Sequence, residues 1–212
     1  GIEPIPDDID IEDLIAEEDN VITVTHQGYV KRLAVDTYKS QKRGGRGIIG
    51  LSTKEEDFIS NMFVSSTHAH ILFFTNKGKM YRIKAYEIPE AGRHAKGTPI
   101  INILAIEPDE RISAVIPVRQ YEEGKSLLMC TREGVIKKTD LMEYSNAPKA
   151  GKIAIRLDDD DELIGVAMTS GNDDIFVGSH EGKVIRFNEN DVRSMGRVSR
   201  GVRAMTVSDT DY

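Results

Sequence analysis

The stretch "ILFFTNKGKMYRI", residues 71–83, decides the fold. An apolar run meets Thr75, then two polar residues and Gly78, and apolar residues return at Met80. Thr suits the first position of a type I turn, and Gly suits the left-handed position that closes a bulge after it. The stretch therefore predicts a tight β-hairpin. The pattern recurs in "VITVTHQGYVKRL" (21–33), "LLMCTREGVIKKT" (127–139) and "IFVGSHEGKVIRF" (175–187). The turn glycines are Gly28, Gly78, Gly134 and Gly182, at spacings of 50, 56 and 48.

Strand alternation assigns an inward face to the residues two past each Gly, Val30, Met80, Ile136 and Val184, and six before it, Ile22, Leu72, Leu128 and Phe176. A second signature follows each hairpin. "GRG" ends at Gly47, "AKG" at Gly97, "KAG" at Gly151 and "SRG" at Gly201, at offsets of 19, 19, 17 and 19 from the hairpin glycine. The apolar stretches "IIGL", "TPIINIL", "KIAIRL" and "VRAMTV" come next. Each unit thus reads as a hairpin, a long polar connection with a basic-Gly element, and a further strand. Two signatures in phase over four units predict an all-β fold, a propeller or related array of four-stranded antiparallel blades. The expected blades are residues 21–66, 67–118, 119–169 and 170–212 of a single domain, after an acidic linker at 1–20. That linker suits a short helix capped at Asp10, with Ile11, Leu14 and Ile15 on one face, or a plain acidic lead-in. Almost no helix is expected outside residues 10–20. "RQYEEGK", 119–125, reads as a longer loop.

The net charge is −7, but it is unevenly spread. Residues 1–20 hold nine acids and no Lys or Arg, and Asp158 to Glu162 hold five more acids. Elsewhere bases prevail, so the acidic balance does not exclude a polyanionic partner. Nine acids without a base could compete with phosphate for the cations as an intramolecular decoy. No run of 18 apolar residues spans a membrane, and the acidic start does not resemble a signal peptide. The lone Cys130 fits a reducing cytoplasm. "THAH" places His68 and His70 as a metal pair without a third ligand, and "DDDDE" lacks the spacing and Gly of a calcium loop. No nucleotide-binding loop, Gly-x-Ser-x-Gly or Cys-x-x-Cys is present.

The cations carry the functional expectation. "SQKRGGRGIIG", 40–50, sets Lys42, Arg43 and Arg46 among glycines. Gly lets a backbone approach an anion and Arg hydrogen-bonds it with two prongs, so the loop suits phosphate; the plain alternative is a solvated turn. Every unit repeats cations near equivalent places. Four past each hairpin Gly stand Arg32, Arg82, Lys138 and Arg186. Lys31, Lys84, Arg93, Lys96, Lys137, Lys149, Lys152, Arg197, Arg200 and Arg203 join them. Radially arranged blades would gather these on one basic rim suited to a bent duplex. The competing account makes the cation four past each Gly a strand-end or inter-blade contact.

"QKRGGRG", Gln41 to Gly47, resembles the gyrase A box. Together with "EDLIAEEDNVITVTHQGYVKRL" before it and the repeats after it, the chain resembles the C-terminal DNA-wrapping domain of DNA gyrase A, in the type IIA topoisomerase family. The resemblance implies a β-pinwheel whose blades exchange strands and whose basic rim bends and wraps double-stranded DNA, enabling negative supercoiling. It implies DNA contact at Gln41, Lys42, Arg43, Gly44, Gly45, Arg46 and Gly47. The implied partners are the rest of gyrase A and the gyrase B protein, with no membrane. No cofactor is expected in this chain; ATP and magnesium serve elsewhere in the holoenzyme. The family's cleavage tyrosine follows an Arg, and none of the seven tyrosines here does, so no catalytic centre is expected. Four repeats stand against the family's usual six, so the chain is expected to stop short of a whole family domain. The related topoisomerase IV domain lacks an intact box, which favours gyrase. A propeller-like protein-interaction scaffold is the alternative from another class.

Overall fold

The computed structural model describes residues 10–44, 57–179 and 181–204, and of residues 42–44 the backbone alone. Contacts divide the chain into two units, residues 1–70 with 84–99, and residues 71–83 with 100–212.

The first unit holds one blade. Strands β1 (Asp19–Thr25) and β2 (Tyr29–Ala34) form the predicted hairpin. Gly28 N–H donates to Thr25 O at 3.0 Å, and Gly28 has φ of 92°. Tyr29 N–H donates to Thr25 Oγ1 at 3.1 Å, which explains the Thr at the turn's first position. After β2 comes helix α1 (Val35–Gly44), then β3 (Ile59–Ser66) pairs with β1. The sheet order is β3-β1-β2-β6, where β6 (Thr98–Pro99) comes from the next repeat.

The second unit holds three blades. Hairpin β4 (His70–Thr75) and β5 (Lys79–Lys84) is flanked by β7 (Ile112–Val118) and β10 (Lys152–Ile153). Hairpin β8 (Ser126–Thr131) and β9 (Val135–Asp140) is flanked by β11 (Leu163–Thr169) and β14 (Val202–Arg203). Strands β12 (Asp174–Gly178) and β13 (Val184–Asn188) form the last hairpin, two-stranded among the described residues. Leu72, Phe74 and Met80 pack with Leu127, Met129, Tyr144 and Leu163 in one core between consecutive blades. Leu128 and Ile136 pack with Phe187 and Val192 in the next. Full burial of each such side chain contributes about 1.5–3 kcal/mol.

The hairpin frame holds at all four glycines, each with positive φ. Three expectations are corrected. First, α1 is a ten-residue α-helix well outside residues 10–20, and it runs through Gln41 to Gly44, where the sequence suggests a glycine-rich loop. "VDTYKSQKR" contains no breaker, so the helix continues until the glycines begin. Second, of the two readings of the linker the capped helix does not form among the described residues: Ile11–Leu14 is a 3-10 turn, Asp10 makes no capping bond, and Ile11 and Leu14 are exposed. Third, Phe176 and Val184 are 64% and 67% exposed, although Leu128 and Ile136 at the same positions are buried. Those two pack against the following hairpin, whereas the last hairpin's packed face is Ile175, Val177, Ile185 and Phe187.

The second-signature glycines have a steric cause. Gly97 has φ of 92°, and a Cβ there would stand 2.7 Å from Val30 O. Gly201 stands in the same relation to Ile136 O. Each lets the incoming chain pass over a hairpin before its two-residue strand pairs. Gly134, by contrast, has φ of 83° but open space around a Cβ. Gly134→Ala should cost about 1 kcal/mol through backbone strain alone, and Gly97→Ala about 3 kcal/mol or more. Urea midpoints of the two variants check this ordering.

A buried carboxylate ties the second unit's first hairpin. Glu110 accepts from Thr75 Oγ1 at 2.6 Å, Tyr81 Oη at 2.6 Å and Glu107 N–H at 3.0 Å. Burial pushes the Glu110 pKa up, but these hydrogen bonds prevail and hold it below its usual value. A depressed carboxylate pKa contributes stability that is present above the unfolded value and lost as pH falls through the folded value. Acid unfolding of the native chain should therefore include Glu110 protonation. Glu110→Gln should lower stability near neutral pH by about 1–3 kcal/mol and flatten the acid limb of a stability–pH profile.

Candidate nucleic-acid interface

Two turns share one construction. Residues 92–97 read "GRHAKG" and residues 196–201 read "GRVSRG". In the first unit, Lys31 Nζ donates to Gly92 O, Arg93 O and Ala95 O at 3.0, 2.6 and 2.8 Å. In the second, Lys137 Nζ donates to Gly196 O at 3.3 Å, to Arg197 O, and to Ala154 O at 2.6 Å. Ala95 N–H bonds Gly92 O at 3.0 Å, as Ser199 N–H bonds Gly196 O at 3.1 Å. Arg93 N–H donates to Gln41 Oε1 at 2.8 Å, as Arg197 N–H donates to Glu143 Oε1 at 3.2 Å. Gln41 of the box thus braces a turn.

Beside the first turn, Lys96 Nζ lies 4.4 Å from the Tyr29 ring centre, and the Arg93 guanidinium lies 5.3 Å from that of Tyr38 on α1. A groove of about 220 Å3 is lined by Tyr29, Lys31, Asp57, Phe58, Arg93 and Lys96. Lys96 and Arg200 are exposed, and Arg200 pairs with Asp158 at 3.2 Å. Arg197 reaches Ile153 O.

The cations four past each hairpin Gly mostly serve the fold. Arg32 donates to Ile88 O at 2.5 Å, Asn20 Oδ1 at 3.0 Å, Glu90 Oε1 at 3.0 Å and Tyr86 O at 3.3 Å, with its side chain 14% exposed. Arg82 reaches Ser145 O and Tyr121 Oη. Lys138 is buried, with Nζ on Glu189 O at 2.9 Å. These contacts match the competing strand-end account; Lys137 is fully buried and Lys138 is 9% exposed. Arg186 differs, being exposed beside Asp174 at 3.4 Å.

Lys84 is held by the acidic segment, through Glu12 Oε1 at 3.0 Å, and also bonds His68 O at 3.1 Å. His68 lies 3.8 Å from Glu12 and 3.6 Å from Glu17. Among the described residues no cluster of three or more His, Cys, Asp and Glu could hold a metal ion. Lys152 bonds Glu143 O at 2.8 Å, and burial together with Arg197 and Arg82 lowers its pKa. Lys149 and Arg203 are exposed, on the turn at 148–151 and on β14. Of the box, Lys42, Arg43 and Gly44 lie in the last turn of α1, with side chains outside the described residues; Gly45, Arg46 and Gly47 lie outside them entirely.

The hairpin frame misses the six-residue turn pattern because it tracks the second Gly of each turn alone. It also misses the outer strands β3, β7 and β11, whose apolar and polar residues alternate weakly.

Arg32→Ala should destabilise the chain by about 2–4 kcal/mol, since it strips partners from Asn20 and two carbonyls. It should leave the salt dependence of any DNA binding unchanged. Denaturant titration and binding at several salt concentrations check both halves.

No described helix is long and apolar enough to cross a membrane. A family profile for the DNA gyrase C-terminal domain, beta-propeller, matches residues 19–66, 69–119, 125–170 and 173–212. The chain is 57% identical over 96% of its length to the DNA gyrase A protein of Clostridium acetobutylicum, and 50% identical over 96% to that of Escherichia coli. It spans 24% and 23% of those relatives, about a quarter of their length. It superposes on the C-terminal domain of DNA topoisomerase IV with a TM-score of 0.75 at 32% identity, covering 89% of this chain and 57% of that one. For a DNA gyrase A C-terminal domain the TM-score is 0.65 at 28% identity, covering 88% and 60%. Hairpins in phase, strands lent between repeats and a profile matched over four segments place the chain in the DNA gyrase C-terminal domain family, with a β-pinwheel fold.

Proposed function

We propose that the chain binds duplex DNA through its phosphates and bends it, as a non-catalytic wrapping domain that lets gyrase introduce negative supercoils. The observation that carries this reading is the pair of Gly-Arg-x-x-basic-Gly turns. Each holds its backbone by a lysine from another strand and keeps a cation, Lys96 or Arg200, at the surface. Contacts of this kind fix a duplex without reading base edges, so binding should tolerate any sequence. Lys149, Arg203, Arg186 and the box residues Lys42, Arg43 and Arg46 are further candidates for phosphate contact. Lys137 and Lys138 are not among them, because buried ammonium groups release no counterions to the duplex. The partners in this reading are double-stranded DNA, the rest of gyrase A and the gyrase B protein, in the bacterial cytoplasm. Strand cleavage and the use of ATP and magnesium belong to those other parts.

A gel shift with unrelated duplexes at two salt concentrations tests the reading. Strong, salt-dependent binding to every sequence supports it, and no binding at low salt ends it. Changing Lys42, Arg43 and Arg46 together to Ala should reduce the slope of log affinity against log salt by about 0.9 per lost contact, roughly 2.7 in all. In the whole enzyme the triple variant should lose negative supercoiling and keep relaxation.

A further inference from the structure

An ammonium group has three protons to donate. At Lys31 all three go to turn carbonyls, those of Gly92, Arg93 and Ala95, at 2.6–3.0 Å. At Lys137 the acceptors are again three carbonyls, those of Ala154, Gly196 and Arg197. Both groups are saturated, and neither has a proton left for a phosphate. Carbonyl dipoles stabilise a cation without cancelling its charge. Burial therefore remains costly. It holds the Lys137 pKa down to about 8, with Arg197 adding to the effect and Glu143 opposing it. Lys31 is lowered by burial and then by Arg93. A positive charge is thus stationed beneath each turn. An anion seated on the turn supplies the compensation that carbonyls do not.

We propose that Lys31 and Lys137 are positioning residues for phosphate. Each shapes its turn by gathering the carbonyls inward and charges it from below. Arg93 with Lys96, and Arg197 with Arg200, make the contacts. The same arrangement stands once in each unit, so neither copy depends on the other. This inference rests on the DNA-binding reading above.

Reductive methylation of the native chain, free and saturated with duplex DNA, tests it without mutation. Lys96 should be modified in the free chain and protected by DNA. Lys137 should stay unmodified in both states, and Lys31 should react slowly and equally in both. DNA-dependent protection of Lys31 and Lys137 would make them contacts and overturn the proposal; binding that leaves Lys96 unprotected overturns it as well. A mutant cycle adds a second readout. Lys31→Met should weaken binding about tenfold, and adding Lys96→Ala to it should cost less than about twofold more, because Lys31 acts through the turn. Independent, additive losses sink the idea. If Lys31→Met fails to melt cooperatively, methylation alone decides. Failure of the native chain to bind DNA at low salt would end the DNA reading itself, whereas binding with protected Lys31 and Lys137 ends only the positioning role.

Discussion

The structure depends on one loan. A two-residue strand from each of the last three repeats pairs with the hairpin of the repeat before it, as Thr98–Pro99 does with Tyr29 and Val30, and Val202–Arg203 does with Val135 and Ile136. Two residues of ladder are too few to hold a chain by themselves, so the approach is fastened in other ways. Gly97 and Gly201 remove the side chain that would strike the hairpin's carbonyl. Lys31 and Lys137 reach from the hairpin into the incoming turn. Arg32 and Lys138, one residue on, bind carbonyls just upstream of that turn. The hairpin thus offers two successive cations, and the incoming chain offers carbonyls to both. The second hairpin shows how much variation the loan tolerates. Tyr81 stands where the first and third hairpins have Lys, and its ring lies where a Cβ of Gly151 would fall. Lys79 takes up part of the task by reaching Ala150 O at 3.4 Å.

The four hairpins were legible in the sequence because their chemistry is local. Thr25, Thr75, Thr131 and Ser179 each accept a bond from the glycine three residues on, and such a turn needs no tertiary partner to be recognised. The strand exchange was not legible as pairing. "TPIINIL" reads as one apolar strand, yet only Thr98 and Pro99 join a sheet before Ile100–Asn102 turns as a 3-10 helix. The partner of those two residues lies almost seventy positions away along the chain. No periodicity encodes such a distance; only the resemblance implied exchange. Helix α1 was hidden for another reason. Its residues are polar nearly all round, so the apolar stripe by which helices are usually found is missing.

The candidate interface was legible as charge and not as role. A sequence shows where Lys and Arg stand, but their job depends on what lies within reach of the terminal nitrogens. Lys31 and Lys96 look alike on paper. One ends among three carbonyls, and the other ends at the surface beside Tyr29. The same division separates Lys137 from Arg200. Position relative to the hairpin glycine tracks this division better than residue type does. Three and four past the Gly in the first and third hairpins, cations face the protein's own backbone.

That division matters for how binding would respond to salt. A counterion is released when a phosphate is neutralised by a cation that reaches it, and only such contacts enter the salt slope. A lysine capped by carbonyls keeps its charge and still raises the local potential, because the acceptors it donates to are neutral. It therefore strengthens attraction at a distance without adding to the count of contacts. The acidic segment acts in the opposite sense. Glu12 pairs with Lys84 at 3.0 Å, as Asp158 pairs with Arg200 at 3.2 Å, and each carboxylate offsets the field of its cation. Raw cation number is thus a poor guide to this surface. Lys31 and Lys137 contribute field, Lys96 is placed to contribute contact, and Lys84 and Arg200 contribute contact only where their carboxylate partners give way.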